Sequence, residues 1–78
     1  MELAFSGECW TEVTDASGRI LFYNLGKEGT AVTLSGDEPL SVVLGDYEKV
    51  SIAVEGRDYP IPASARRGRM ARFTINRQ

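Results

Sequence analysis

The chain has 78 residues, 42% hydrophobic and 26% charged, with a net charge of −2, one cysteine and no histidine. That length holds one domain with a modest core, and the composition is that of a folded globular chain rather than a disordered one. A single cysteine excludes an internal disulfide and any multi-cysteine metal site. The absence of histidine removes the usual general base and zinc ligand, and with them the Ser/His/Asp and Cys/His nucleophile arrangements.

The opening residues, Met1-Glu2-Leu3-Ala4-Phe5, have neither the basic region nor the long apolar region of a signal peptide, and no apolar run approaches the ~18 residues of a membrane span. The expectation is a chain with no export address of its own, a fragment if it works outside the cytoplasm. From there, turn signals recur at the spacing of an all-β domain: Ser6-Gly7, Asp15-Ala16-Ser17-Gly18, Gly26 to Gly29, Gly36 to Pro39, Gly45-Asp46 and Glu55 to Asp58. Between them, apolar residues alternate with polar ones at period two, as in Val32/Leu34, Leu40/Val42/Leu44, Val50/Ile52/Val54 and Ala71/Phe73/Ile75. The predicted strands are approximately 2–6, 9–14, 19–25, 30–35, 40–44, 49–55, 57–61 and 69–76, with no helix longer than a turn. Ile20-Leu21-Phe22-Tyr23 is apolar on both faces, which predicts a strand covered on two sides. Pro60 and Pro62 predict an edge segment or extended connection, and 63–68 a loop with room for one helical turn. A lone sheet would leave its apolar face in water. The fold class is therefore all-β, a small antiparallel sandwich of about seven strands of the immunoglobulin-like, Greek-key type, with a small barrel as the alternative, in a single domain over 1–78.

Three features invite a functional reading. The trio Glu8, Trp10 and Glu12 sets an indole between two carboxylates, like the floor of a sugar site. Four residues along a strand separate the carboxylates' backbones by ~13 Å, beyond the roughly 5 to 9.5 Å of glycosidase pairs, so no catalytic role is expected. Trp10 itself is predicted to be a core anchor, delivered inward by a bulge near Thr11, with its indole N–H on a backbone carbonyl. An exposed platform for carbohydrate is the alternative. Asp15-Ala16-Ser17-Gly18 reads as a hairpin turn, since one carboxylate is too few for calcium, and Cys9 as a small core residue.

Charge is segregated: residues 1–64 hold 11 acids against 4 bases, whereas residues 65–78 hold five arginines and no acid. Arg66, Arg67, Arg69, Arg72 and Arg77 are expected to pair loosely with neighbouring acids and keep an edge soluble. A patch for anionic lipid is the competing reading. The aromatics are not interleaved with these arginines and the body is acidic, so no nucleic acid is expected. Neither a cofactor nor a small-molecule ligand is expected.

The run Cys9-Trp10-Thr11-Glu12-Val13-Thr14-Asp15-Ala16-Ser17-Gly18-Arg19-Ile20-Leu21-Phe22 resembles the opening motif of the C-terminal periplasmic domain of RodZ, a bacterial cell-shape protein: Cys-Trp, a Glu-Val pair, Asp-Ala-x-Gly, then an apolar strand. The similarity continues through Leu25 to Gly29, Leu34-Ser35-Gly36, Pro39-Leu40 to Gly45, Val50 to Gly56 and Arg69 to Ile75, covering residues 5–76. The resemblance implies a noncatalytic interaction module. It would lie on the periplasmic side of the inner membrane beside cell-wall elongation proteins, anchored through a single span in the parent protein. Such proteins also carry a cytoplasmic helix-turn-helix domain that binds an actin-like filament. That part is not in this sequence, and nothing about filament binding transfers to these residues. The resemblance supplies no binding residues, so Trp10, Glu8, Glu12, Arg66, Arg67, Arg69 and Arg72 stand as candidates from the residues alone.

Overall fold

A computed structural model describes residues 1–76. The strands are β1 (Glu2–Phe5), β2 (Cys9–Thr14), β3 (Ile20–Gly26), β4 (Ala31–Thr33), β5 (Leu40–Leu44), β6 (Val50–Val54), β7 (Arg57–Asp58), β8 (Arg66–Arg67) and β9 (Met70–Ile75). Single 3₁₀ turns span Tyr47–Lys49 and Ala63–Ala65. Two antiparallel sheets result, a four-stranded one in the order β4-β1-β6-β7 and a five-stranded one in the order β3-β2-β5-β9-β8. The architecture is a sandwich with open edges, not a closed barrel.

The core lies between the sheets and follows the alternation. Leu3, Phe5, Val50 and Ile52 from the four-stranded sheet face Cys9, Val13, Leu40, Val42, Leu44, Ala71, Phe73 and Ile75 from the five-stranded sheet, and Ile61 closes one side. Thr11 is also fully buried. Its hydroxyl donates to the Cys9 carbonyl at 3.1 Å, so this polar group enters the core with its hydrogen bond made. Cys9 is a buried free thiol, as its composition-based expectation had it.

Local chemistry sets the turns. The β6–β7 connection has two residues, Glu55 and Gly56, both at positive φ (53° and 79°), the backbone that matches the twist of a tight hairpin. At Gly26 the backbone lies directly against the Phe5 ring, leaving no space for a side chain.

Three expectations require correction. The 30–35 strand shortens to Ala31–Thr33, although Leu34 N–H continues its pairing direction by donating to the Met1 carbonyl at 2.8 Å. The 57–61 strand stops at Asp58, after which Tyr59 N–H reaches the Ile52 carbonyl at 2.8 Å and Pro60, lacking an N–H, ends the ladder. Residues 63–68 contain the expected helical turn but also β8, which pairs Arg66 with Ala71 and Arg67 with Met70.

Candidate functional site: the outer face of the five-stranded sheet

Trp10 points outward. β2 keeps strict alternation, with Cys9, Thr11 and Val13 inward and Trp10, Glu12 and Thr14 outward. The bulge predicted near Thr11 is absent. The register shift lies instead between Val13 and Thr14, opposite β3, where it lets Leu21 join the core side while Ile20 pairs with Thr14 on the outer face. Because Thr11 satisfies its hydroxyl within its own strand, nothing forces β2 to bend and bring the indole inside. The Trp10 N–H accordingly finds no backbone carbonyl and donates to Glu12 Oε2 at 2.7 Å.

The register assembles the rest of the face. Directly opposite residues of antiparallel strands share a side. Leu25 therefore stands beside Trp10, Tyr23 beside Glu12, Glu12 beside Val43, and Val43 beside Arg72. Met70 and Arg67 continue the face onto β9 and β8. Trp10 and Tyr23 meet edge to face, with centroids 5.1 Å apart and planes at 85°. Gly45 beside Trp10 donates its N–H to the Trp10 carbonyl at 2.8 Å, and its missing side chain leaves room for the Trp10 Cβ.

The result is a concentration of exposed apolar surface. Trp10 is 38% exposed, Ile20 62%, Tyr23 59%, Leu25 36% and Met70 51%, and all five lie on this one face. The outer face of the four-stranded sheet is built differently: Glu2, Ala4, Ala31, Thr33, Ser51, Ala53 and Asp58, with no large apolar side chain. β3, predicted to be covered on both sides, is an edge strand whose second apolar face is open to solvent. Its edge is partly blunted by Asn24, whose side-chain oxygen accepts the Leu25 N–H at 2.8 Å.

The remaining candidates disperse. Glu8 is exposed ahead of β2, away from the Trp10–Glu12 hydrogen bond. Arg67 and Arg72 belong to the outer face, where a shallow depression of about 450 Å³ runs beside them and Met70. Arg69 sits in the β8–β9 turn and approaches Asp46 at 3.9 Å, a loose pair of the expected kind. Arg66 lies on the other side of β8, over the Tyr47 ring at 4.7 Å and donating to the Ile61 carbonyl at 2.8 Å. Arg77 lies outside the described residues. Four arginines adjacent in sequence thus serve three surroundings and form no single cationic strip.

The turn Asp15 to Arg19 braces this face. Asp15 Oδ1 accepts the Ser17 hydroxyl at 2.7 Å, Ser17 N–H at 3.0 Å and Arg19 N–H at 2.9 Å, while Oδ2 accepts Asp37 N–H at 3.3 Å. Ala16 N–H in turn reaches the Asp37 carbonyl at 2.8 Å. One carboxylate therefore ties the β2–β3 turn to the loop before β5. The Ser17 hydroxyl is the main cause holding the Asp15 carboxyl at about 2, below its ordinary 3.8. Desolvation opposes this, and the backbone N–H groups of Arg19, Asp37 and Ser17 add to it. Gly18, at φ 89°, supplies the left-handed residue that closes the turn. Among the described residues, no group of three or more metal-ligating side chains converges, and no helix is long and apolar enough to cross a membrane.

The model of the RodZ C-terminal domain matches residues 2–74. This chain belongs to the RodZ C-terminal domain family. Its role is accordingly RodZ-like, in cell shape. No solved structure matches the chain. Within this RodZ C-terminal domain the opening motif divides by physical role. Cys9 fills the core, Asp15 and Gly18 make the turn, and Trp10 lies outside the core on the outer face, 38% exposed. The sequence signal for that outward position was present in the plain alternation of β2.

Proposed function

We propose that this domain is a noncatalytic interaction module on the periplasmic side of the inner membrane, and that it docks a cell-wall elongation protein on the outer face of the five-stranded sheet. The observation that carries the reading is the placement of Trp10, Ile20, Tyr23, Leu25 and Met70 on one face while the opposite sheet exposes none of their kind. Exposed apolar patches of this sort, rimmed by polar groups, mark interaction surfaces, and Trp, Tyr, Met and Arg are the residues enriched in them. A protein partner fits better than a glycan. The edge-to-face geometry gives no flat two-ring platform, and the indole N–H is already taken by Glu12. Anionic lipid fits less well, because Glu12 stands within the face and the arginines are dispersed.

A photo-crosslinking amino acid at Tyr23 of the intact protein tests this in living cells, with the same group at Ser51 on the opposite sheet as the comparison. Adducts with elongation proteins from Tyr23 and none from Ser51 are expected. Equal adducts from both positions, or adducts to glycan alone from Tyr23, would overturn the reading.

A further inference from the structure

β3 ends its sheet with backbone groups open to solvent. The Trp10 carbonyl accepts the Gly45 N–H, so the Trp10 peptide groups point to the β5 side of β2. Pairs alternate along an antiparallel ladder, so the peptide groups of Cys9, Thr11 and Val13 point the other way, to β3. Their partners Gly26, Asn24 and Phe22 direct their own N–H and C=O groups back at β2, while Tyr23 and Leu25 turn theirs away from it. No strand of the sheet lies beyond β3. The Leu25 N–H bears out this direction, since its acceptor at 2.8 Å is the Asn24 side chain and not another strand. Among the described residues, no other hydrogen bond outside the ladders reaches Tyr23 or Leu25. Tyr23 N–H, Tyr23 C=O and Leu25 C=O are therefore open.

The other sheet edges are blunted. β4 has three residues, while β7 and β8 have two each, all of them charged: Arg57, Asp58, Arg66 and Arg67. β3 has seven, Ile-Leu-Phe-Tyr-Asn-Leu-Gly, with no charge and no proline. An edge of that length and composition is a template for a further strand. Its own sequence fits it. With a second copy set antiparallel about a two-fold axis at Asn24, Tyr23 stands opposite Leu25 of the second copy, and Leu25 opposite Tyr23 of the second copy. Each pair exchanges N–H···O=C bonds in both directions. The Leu25 N–H leaves the Asn24 oxygen to do so, and the two Asn24 amides, now directly opposed, hydrogen-bond each other across the axis. No charge is buried by the pairing. At each end the exposed Arg19 of one copy comes to the same end as the exposed Glu28 of the other.

We propose that this chain self-associates as a two-fold dimer through β3, edge to edge, in the register that pairs Tyr23 with Leu25 of the second copy. Opposed residues share a side, so the outer faces of the two five-stranded sheets join into one continuous face. A contact made by strand edges is small, so the dimer is weak and forms as concentration rises. The proposal does not rest on the docking of a partner protein. It uses the backbone edge and Asn24, which lies opposite Thr11 on the inner side of β3 and not on the outer face.

Sedimentation and backbone-amide NMR of this chain from micromolar to millimolar concentration test it. The expected result is a monomer–dimer equilibrium, with concentration-dependent shifts at Tyr23, Asn24 and Leu25 and slowed hydrogen exchange of the Tyr23 N–H. Asn24→Asp keeps an acceptor for the Leu25 N–H, and with it the monomer fold, but opposes two like charges at the axis. It should weaken the dimer at least tenfold. Asn24→Cys should form an intermolecular disulfide under mild oxidation, because opposed Cα atoms of a non-hydrogen-bonded pair are about 4.5 Å apart, within disulfide reach. Thr33→Cys on the β4 edge should not, and Cys9 is buried in both variants. A monomer at millimolar concentration, a dimer whose shifts map to the Trp10 side chain's face or to another edge, or an Asn24→Asp dimer as tight as wild type would each overturn the proposal. Docking of a partner on the outer face is left to its own experiment, since Asn24→Asp changes no side chain of that face.

Discussion

Replacing Trp10 with alanine distinguishes a surface anchor from a core anchor by magnitude. Deleting a large aromatic from a core costs about 3 to 5 kcal/mol. Trp10 is 38% exposed, and its covered part rests on neighbours of the same outer face, chiefly Tyr23 and Leu25, not in a sealed cavity. Its removal leaves a solvent-filled recess, so the cavity penalty is missing. What is lost is one edge-to-face aromatic pair, worth about 0.5 to 1.5 kcal/mol, and cross-strand contacts with Leu25, worth about 0.2 to 1 kcal/mol. The Trp10–Glu12 hydrogen bond is solvent-exposed and adds little. The expected loss is therefore about 1 to 2 kcal/mol by urea denaturation, with an unchanged m-value. A loss of about 3 kcal/mol or more would refute the reasoning, because it would require the indole to be part of the load between the sheets.

Leu3 is fully buried against both sheets, so Leu3→Ala should cost about 2 to 5 kcal/mol in the same assay, well above the Trp10 change. Gly26→Ala should destabilise by about 1 to 3 kcal/mol, since the added methyl meets the Phe5 ring, as a thermal or urea melt would record. The Asp15 carboxyl is held at about 2 in the folded chain against an ordinary 3.8, so its contribution is complete above the higher value and disappears as pH falls toward the lower one. Stability measured from pH 5 to pH 2 should fall less steeply in Asp15→Asn than in wild type, from a lower starting point. Cys9 is buried, and a thiol reagent should modify it only at the rate of unfolding, with full reaction in denaturant.

Much of the fold was legible because burial in a two-layer sandwich imprints a period of two. Leu40, Val42 and Leu44, or Ala71, Phe73 and Ile75, alternate so regularly that their strands and inward faces follow from the sequence. The outer face of the five-stranded sheet was harder to read for a physical reason. Local pattern shows that Ile20 to Tyr23 is apolar on both sides, but whether anything covers the second side depends on strand order, and β3 turned out to be an edge. The size of Trp10 argues for the core, whereas its place in the alternation argues for the surface, and the alternation decides. Period two had put it with Glu12, and the bulge invoked to reverse that does not exist at Thr11. Arg66 sits over the Tyr47 ring, apart from Arg67 and Arg72, because β8 pairs it with Ala71, and the two residues of β8 are too few to leave a periodic signal.

The central claim, that the outer face of the five-stranded sheet serves cell shape by docking a partner, is tested most directly by placing charge on it in cells. Tyr23→Glu with Leu25→Glu would be introduced into the intact protein, against Ala4→Glu with Ser51→Glu on the outer face of the other sheet, after urea melts of both domains establish that they fold. Cell width and length in cells carrying each variant as the sole copy are the readout. The account predicts that cells with the Tyr23/Leu25 variant lose their normal shape while those with the Ala4/Ser51 variant keep it. Normal shape with a folded Tyr23/Leu25 variant would contradict it.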